Sequence, residues 1–310
     1  MQLPHQLPVN HLVLSKWLDR TIKSPIWIDN LENMGIEKEL FIDTCTQMFR
    51  ELPPDAYDVK RQQIEWLFHK FPEDTEAIQQ LYKPYYLGET TISNFSSYLD
   101  RLSDKDRQHF DSFQPWRWRS VSQFIAHPDT GQLKRERVES FAQEVEVNDV
   151  RSWPRVFSEA PKHHVDNPLF KSFLLTIARK VQKFSPKKVK TVRFVVHFMS
   201  VKATIQTAGD NSPEGAHEDG ADFIVSALVI NRRNLKGGES QIIEKFKDGS
   251  KEIIYSRILQ PGEFVFQADT GDEKTYGNDL WHHVTPFFVD AEDQEEGWRD
   301  IIGFDINIVE

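Results

Sequence analysis

The residues in this sequence whose types and spacing could do chemistry begin with His217-Glu218-Asp219-Gly220, just ahead of a nearly all-apolar run at 222–230. On an extended backbone residues two apart share a face, so His217 and Asp219 would point the same way. A third imidazole is on offer downstream at His282-His283, in another stretch of strand-like composition. Two imidazoles and one carboxylate on one face of a metal leave three positions open. That donor set suits Fe(II), with room for a co-substrate and oxygen to bind side by side. Period-two alternation requires that one of His282 and His283 face inward and does not say which. Near the C-terminus comes Trp298-Arg299-Asp300-Ile301-Ile302-Gly303-Phe304. Arg299, Ile301 and Gly303 would share one strand face, and an arginine with small or apolar neighbours suits a pocket that grips a carboxylate. The carboxylate would be the far end of a 2-oxo acid chelating the metal.

These residues need elements to position them. Residues 1–112 read as helical. The span 37–52 sets Leu40, Phe41, Cys45, Met48, Phe49 and Leu52 at intervals of three and four, which is one helix face. Pro53-Pro54 ends it, since proline lacks an amide hydrogen and pushes its predecessor out of the helical region. Further helices are expected over 55–71, 73–81 and 93–102. From 113 the texture is mixed: 116–124 alternates large apolar and polar side chains as a strand does, and 167–184 returns to helical spacing. Strands are then expected at 191–203, 222–230, 252–259, 263–267, 282–289 and 300–308. Turn residues such as Gly237-Gly238, Asp248-Gly249 and Pro261-Gly262 separate them. Short strands with tight turns over this length suggest an antiparallel sandwich or barrel. The fold class is α+β, with a helical region over 1–112 and the β domain over 113–310.

Composition narrows the function. The 310 residues carry 38 Lys+Arg against 48 Asp+Glu, a net charge of −10, which is the wrong balance for a protein that grips phosphate backbones. No nucleic-acid partner is expected. No run approaches the roughly 18 apolar residues that span a bilayer, and MQLPHQLPVN has neither the cationic nor the apolar segment of a secretory signal. A cytoplasmic protein with no membrane association is the expectation. The single cysteine, Cys45, excludes an internal disulfide framework and any multi-thiolate metal site. Its place on an apolar helix stripe makes it a small core residue rather than a nucleophile. Any metal must therefore be held by imidazole and carboxylate.

The metal-site residues lie in segments that resemble the 2-oxoglutarate-Fe(II) dioxygenases of the bacterial isoleucine 4-hydroxylase type. The likeness is carried by Pro213-Glu214-Gly215-Ala216-His217-Glu218-Asp219-Gly220-Ala221-Asp222-Phe223, by Gly237-Gly238-Glu239-Ser240, by His282-His283-Val284-Thr285-Pro286 and by Trp298-Arg299-Asp300. Fainter echoes lie at 116–124, at Asn148 and at Arg155-Val156-Phe157. It spans about 115–310, and the first 110 residues match nothing in it. The resemblance implies a double-stranded β-helix of the jelly-roll or cupin kind, Fe(II), 2-oxoglutarate as co-substrate, O2, and hydroxylation of an unactivated C–H bond of a free L-amino acid. It also implies roles: His217, Asp219 and His282 as iron ligands, with His282 selected over His283 by the pattern His-x-Val-Thr-Pro, and Arg299 as the 2-oxoglutarate anchor. Related halogenases have a small residue at the carboxylate position, so Asp219 implies hydroxylation. One departure is the segment 290–296, five of seven residues acidic, which lengthens the gap before Arg299. It reads as a solvated loop.

Other features have plainer readings. The Trp-Arg alternation at 116–119 suggests packed indoles with outward guanidinium groups, since no wider basic field accompanies it. Lysines 180, 183, 187, 188 and 190 sit at a helix C-terminus, where the dipole favours cations. His197 reads as a core imidazole with one hydrogen bond, and His163-His164 as a loop pair. Arg117, Arg119 and Glu239 are candidates for clamping an amino acid, each with a structural explanation as well. No Walker loop, Gly-x-Gly-x-x-Gly, His-Glu-x-x-His or Gly-x-Ser-x-Gly is present. Two rivals stand beside the amino-acid hydroxylase. One is the same iron chemistry on a peptide- or carrier-bound amino acid, or a desaturation. The other is a non-catalytic jelly-roll binding protein. The sequence carries no signal for an oligomeric state.

Overall fold

The computed structural model describes residues 9–10, 21–138, 140, 152–269, 275–291 and 294–309. It divides into two units: residues 1–52, 119–138 and 158–310 form the first, and residues 53–118 and 139–157 the second.

The spine of the first unit is a pair of fourteen-residue strands, β5 (Thr191–Thr204) and β13 (Glu296–Val309). They pair antiparallel without a break from Thr191↔Val309 to Thr204↔Glu296. Both are dense in Val, Ile and Phe, side chains that fit a pleated, buried surface. The remaining strands are β1 (Val9–Asn10), β2 (Ile26–Asn30), β3 (Arg117–His127), β4 (Gln132–Glu136), β6 (Phe223–Arg233), β7 (Leu235–Gly237), β8 (Ser240–Lys245), β9 (Lys251–Arg257), β10 (Glu263–Ala268), β11 (Asp279–Val284) and β12 (Phe287–Val289). One eight-stranded sheet runs in the order β1-β2-β10-β6-β13-β5-β3-β4. Two smaller sheets, β11-β8-β9 and β12-β7, accompany it. The fold is α+β with a double-stranded β-helix core of the jelly-roll kind, as expected.

β13 is apolar on both faces for separate reasons. Its even-numbered Phe304 meets Phe170 and Phe173 at ring-centroid distances of 6.3 and 5.3 Å. Both belong to the helix Pro168–Phe184, α7 in the numbering here. Asn167 accepts from the Leu169 amide at 2.8 Å to start that helix, and Pro168 follows at its first position. Its odd-numbered Ile301 instead packs with Met199, Ala227, Val229, Ile242, Ile254 and Leu280 in a core between the sheets. Each large apolar side chain so buried contributes about 1.5–3 kcal/mol. Helix α1 (Lys38–Arg50) is capped by Glu37 and adds Phe41 against the same two Phe rings of α7. Cys45 lies buried on its apolar face, and burial pushes the thiol up to about 12.

The second unit holds α2 (Ala56–Lys70), α3 (Thr75–Leu87), α4 (Ser96–Leu99) and α5 (Asp104–Asp111). Asp58 is buried on α2 and accepts from Trp116 N, Trp116 Nε1 and Arg117 N. Tyr82 and Tyr86 pack edge-on against Trp153. A short helix α6 (Lys162–Val165) in the first unit carries His163 and His164, where the sequence suggests a loop.

Several elements differ from expectation. β2 is a strand inside the region read as helical, paired in full with β10. β8 and α5 were not foreseen. The span 282–289 is two strands, because Pro286 cannot donate to a ladder. The helix expected over 93–102 is a 3-10 turn, Ile92–Phe95, followed by the single turn α4. The Arg119 guanidinium expected to point outward is buried.

Candidate active site

His217 and His282 face one another across an isolated antiparallel bridge. The His217 amide donates to the His282 carbonyl and the His282 amide donates back, each at 3.0 Å. Directly opposed residues project their side chains to the same side, and the two imidazole centroids are 4.3 Å apart. The register of β11 separates the doublet by face. His282 stands opposite Ile242, which is fully buried in the inner core, whereas His283 stands opposite Gln241 on the other face.

Asp219 stands two residues after His217, and Gly220, with φ of 84°, then turns the chain toward β6. Asp219 Oδ1 lies 3.5 Å from His217 Nε2, and Oδ2 lies 3.4 Å from His282 Nε2. One atom from each of the three side chains falls within 4.8 Å of the others. The structure thus brings together His217, Asp219 and His282 and leaves His283 out. The set fits a metal in a second respect. His217 Nδ1 donates to the Gly215 carbonyl at 2.8 Å, which puts the lone pair on Nε2, facing Asp219.

The electrostatics of the metal-free cluster follow from burial and crowding. Burial works to lower the His217 pKa, but Asp219 and Glu214 outweigh it and bring it to about 9. Glu214 Oε1 is 3.2 Å from His217 Nε2. Burial also works to raise Asp219, yet the neighbouring His282 and His217 hold it below the usual carboxylate range. Asp269, absent from the sequence reading, is 1% exposed. Its carboxylate accepts from the Asp219 and Ala221 amides at 3.0 and 2.9 Å and stands 4.0 Å from His282 Nδ1. Burial, then the charge of Asp219, raises its pKa well above the carboxylate range. Asp269 therefore fixes the loop that presents Asp219 and flanks the back of His282.

Arg299 is the largest fully buried side chain among the described residues, at 0% exposure. Nη1 donates to Asn211 Oδ1 at 2.7 Å and Nη2 to Ser240 Oγ at 3.5 Å, both neutral acceptors, and Nε has no partner among the described residues. Arg232, directly across the ladder on β6, leaves Nη1 buried and without an acceptor among the described residues. Burial and the charge of Arg232 pull the Arg299 pKa down to about 9. A buried cation without a counter-charge costs several kcal/mol, and an anion delivered to these two guanidiniums would remove that cost.

Asn211, Ser240, Arg232 and Asp269 were not singled out by sequence reading. Ser240 lies in the Gly237-Gly238-Glu239-Ser240 block, which offered a signal; the others carried none. Glu239 accepts from Ser256 Oγ at 2.5 Å, and Arg119 donates to His197. Asn148 lies outside the described residues, as does part of 290–296.

The sequence profile of a family described as 2OG-Fe dioxygenase matches residues 96–305. Among solved structures, the chain is similar to a bsmA homolog from Methylobium petroleophilum PM1, with a TM-score of 0.62 and 17% identity over 98% of this chain and 95% of that one. It is also similar to IDO from Bacillus thuringiensis, with a TM-score of 0.56 and 16% identity over 100% of this chain and 99% of that one. At such identities the likeness is one of fold. No curated protein matches the sequence.

Proposed function

The chain belongs to the 2OG-Fe dioxygenase family, and from that premise we propose that it hydroxylates an unactivated C–H bond of a free L-amino acid in the cytoplasm. It is an enzyme that uses iron(II), 2-oxoglutarate and O2. One oxygen atom goes to the substrate, giving an alcohol, and the other to succinate as CO2 leaves. Iron, when bound, supplies the oxygen activation that an unactivated C–H bond demands.

The remaining roles fall to the chain itself. His217, Asp219 and His282 are the proposed ligands, and their single-faced placement would leave coordination positions open toward the barrel interior. Asp269 keeps Asp219 and its loop in place through two backbone amides. Arg299, with Arg232 beside it, is the proposed anchor for the distal carboxylate of 2-oxoglutarate. The apolar residues Ile242, Ile301 and Leu280 around the site keep water away. We assign the dioxygenase domain to residues 113–310, which contain all of these side chains. No helix among the described residues is long and apolar enough to cross a membrane.

The observation that carries this reading is the buried Arg299, whose hydrogen-bond partners among the described residues are both neutral, in the same barrel as a two-histidine, one-aspartate cluster. The amino-acid substrate is supported by the motif blocks around His217, Glu239, His282 and Arg299. The test is an aerobic incubation with Fe(II), 2-oxoglutarate and the proteinogenic amino acids, scored for succinate and for a product carrying one more oxygen. Stoichiometric succinate and hydroxylated amino acid are expected. Turnover confined to peptide- or carrier-bound amino acids would contradict the free-substrate reading.

A further inference from the structure

Away from the candidate active site, two more histidines converge on one carboxylate. Glu51 ends α1, and His163 and His164 follow one another on α6. His164 Nε2 lies 2.9 Å from Glu51 Oε2, and His163 Nε2 lies 4.0 Å from the same oxygen. Consecutive residues of a helix diverge by about 100°, yet the two ring centroids are only 4.0 Å apart. The ring nitrogens and the carboxylate oxygen all fall within 4.8 Å of one another, an arrangement that among the described residues recurs only at His217, Asp219 and His282.

A hydrogen bond alone does not account for this convergence. Glu51 satisfies the His164 ring without any need for His163 to turn toward the same oxygen. Glu51 is also the C-cap of α1, where the last carbonyls gather partial negative charge and a carboxylate is disfavoured. A cation held at Glu51 removes that repulsion, and the two imidazoles beside it offer nitrogen donors. The size is right for a small metal ion. Zinc–nitrogen and zinc–oxygen distances of about 2.0–2.2 Å set the ligand atoms of a tetrahedral ion about 3.3 Å apart, between the 2.9 and 4.0 Å found here. The His164 side chain is 6% exposed and is held by packing, whereas Glu51 and His163 are 57% and 70% exposed. An ion could therefore enter from solvent and keep a water in its fourth position.

We propose that Glu51, His163 and His164 bind a zinc ion, with water as the fourth ligand, and that this ion clips the end of α1 to α6. The site is separate from the proposed iron centre and does not depend on the reaction assigned there. Zinc stands above Fe(II) in the usual affinity order for nitrogen and oxygen donors, so zinc is the ion an exposed set of this kind retains. Glu51 and His164 are 113 residues apart in the chain, and a metal that closes so long a loop restricts the unfolded state strongly. α6 leads into α7, whose Phe170 and Phe173 pack on Phe41 of α1. The clip and this aromatic contact would secure α1 at two places.

The test is a calorimetric titration of the metal-free protein with Zn(II), the iron centre being disabled by Asp219→Ala and His282→Ala together. This double variant is expected to bind one zinc ion per chain. Adding Glu51→Gln or His163→Gln, both at exposed positions, should weaken that ion at least about 10-fold. Zn(II) should also raise the melting temperature of the double variant, because binding to the folded chain alone stabilises it, and should not raise that of the triple variants. A merely structural Glu51–His164 hydrogen bond would give no zinc response to lose. A double variant that binds no Zn(II), or triple variants that bind it within that factor of their parent, would overturn the clip. Should the double variant fail to fold, the count is made on the chain with its iron centre intact: Glu51→Gln should cost it one zinc equivalent, and an unchanged number of ions would overturn the proposal.

Discussion

At the residue scale, His282 rather than His283 points toward the inner core. Sequence alternation left His282 and His283 equivalent, and the family-like pattern His-x-Val-Thr-Pro favoured His282. The structure adds a physical reason, the register of β11 with β8 and the bridge to His217. His282→Ala should therefore abolish metal binding, while His283→Ala should lower affinity less than about threefold, as read by metal titration. Equal losses would break the assignment. The His217 pKa of about 9 adds a pH dependence. In the metal-free protein this group is protonated below about pH 9. Its contribution to stability is complete below its ordinary pKa of about 6.5 and is lost as pH rises through about 9. A metal must displace that proton, so apparent affinity should climb as pH rises toward about 9 and level off above it. A flat profile up to that pH would contradict the protonated state. The triad was legible because its types and its spacing of two are local facts. Asp269 and Arg232 were not, because one buried aspartate and one strand arginine look like many others until the fold brings them beside Asp219 and Arg299.

At the element scale, the strands that read clearly were those with long apolar runs, such as β5, β6 and β13. β2 escaped because five residues, IWIDN, are too few to establish a period, and its stability comes from a neighbour, β10. β8 escaped because it begins directly after the Gly237-Gly238 turn and mixes polar with apolar residues. The loop between β5 and β6 supplies Asn211, which holds Arg299, and one end of that loop is fixed at Gly209. Gly209 exchanges two backbone hydrogen bonds with Phe287, at 2.9 and 3.0 Å. A Cβ at Gly209 would come within 2.1 Å of the Phe287 ring. Gly209→Ala should then cost about 1–3 kcal/mol, as overpacking does, and raise the KM for 2-oxoglutarate by displacing Asn211. Denaturant unfolding and steady-state kinetics read the two effects. A variant of wild-type stability and wild-type KM would show that the loop does not position Arg299.

At the scale of the whole molecule, composition set limits that the fold respects. With one buried cysteine and a net charge of −10, any metal site had to be built from imidazole and carboxylate, and surface charge gives no hint of the paired arginines Arg299 and Arg232. The sequence reading sets a boundary at 112 and expects the helical region before it to cover or flank the sheets. Residues 1–52 belong to the same unit as the sheets: β2 extends the large sheet, and α1 packs Phe41 on Phe170 and Phe173. Residues 113–310 carry the proposed chemistry and yet should not fold alone. A fragment beginning at 113 should lack a cooperative thermal transition and be degraded rapidly by protease, and a fragment that melts cooperatively would contradict the role given to β2 and α1.

The most direct test of the central claim is anaerobic addition of 2-oxoglutarate to the Fe(II)-loaded protein, followed in the visible spectrum. The proposed ligands His217, Asp219 and His282 and the proposed anchor Arg299 predict that 2-oxoglutarate chelates the iron and produces a charge-transfer band. Asp219→Ala should abolish that band, and Arg299→Gln should move it to much higher 2-oxoglutarate concentration. A wild-type protein that binds both and shows no band, or an Asp219→Ala variant that keeps it, would contradict the site described here.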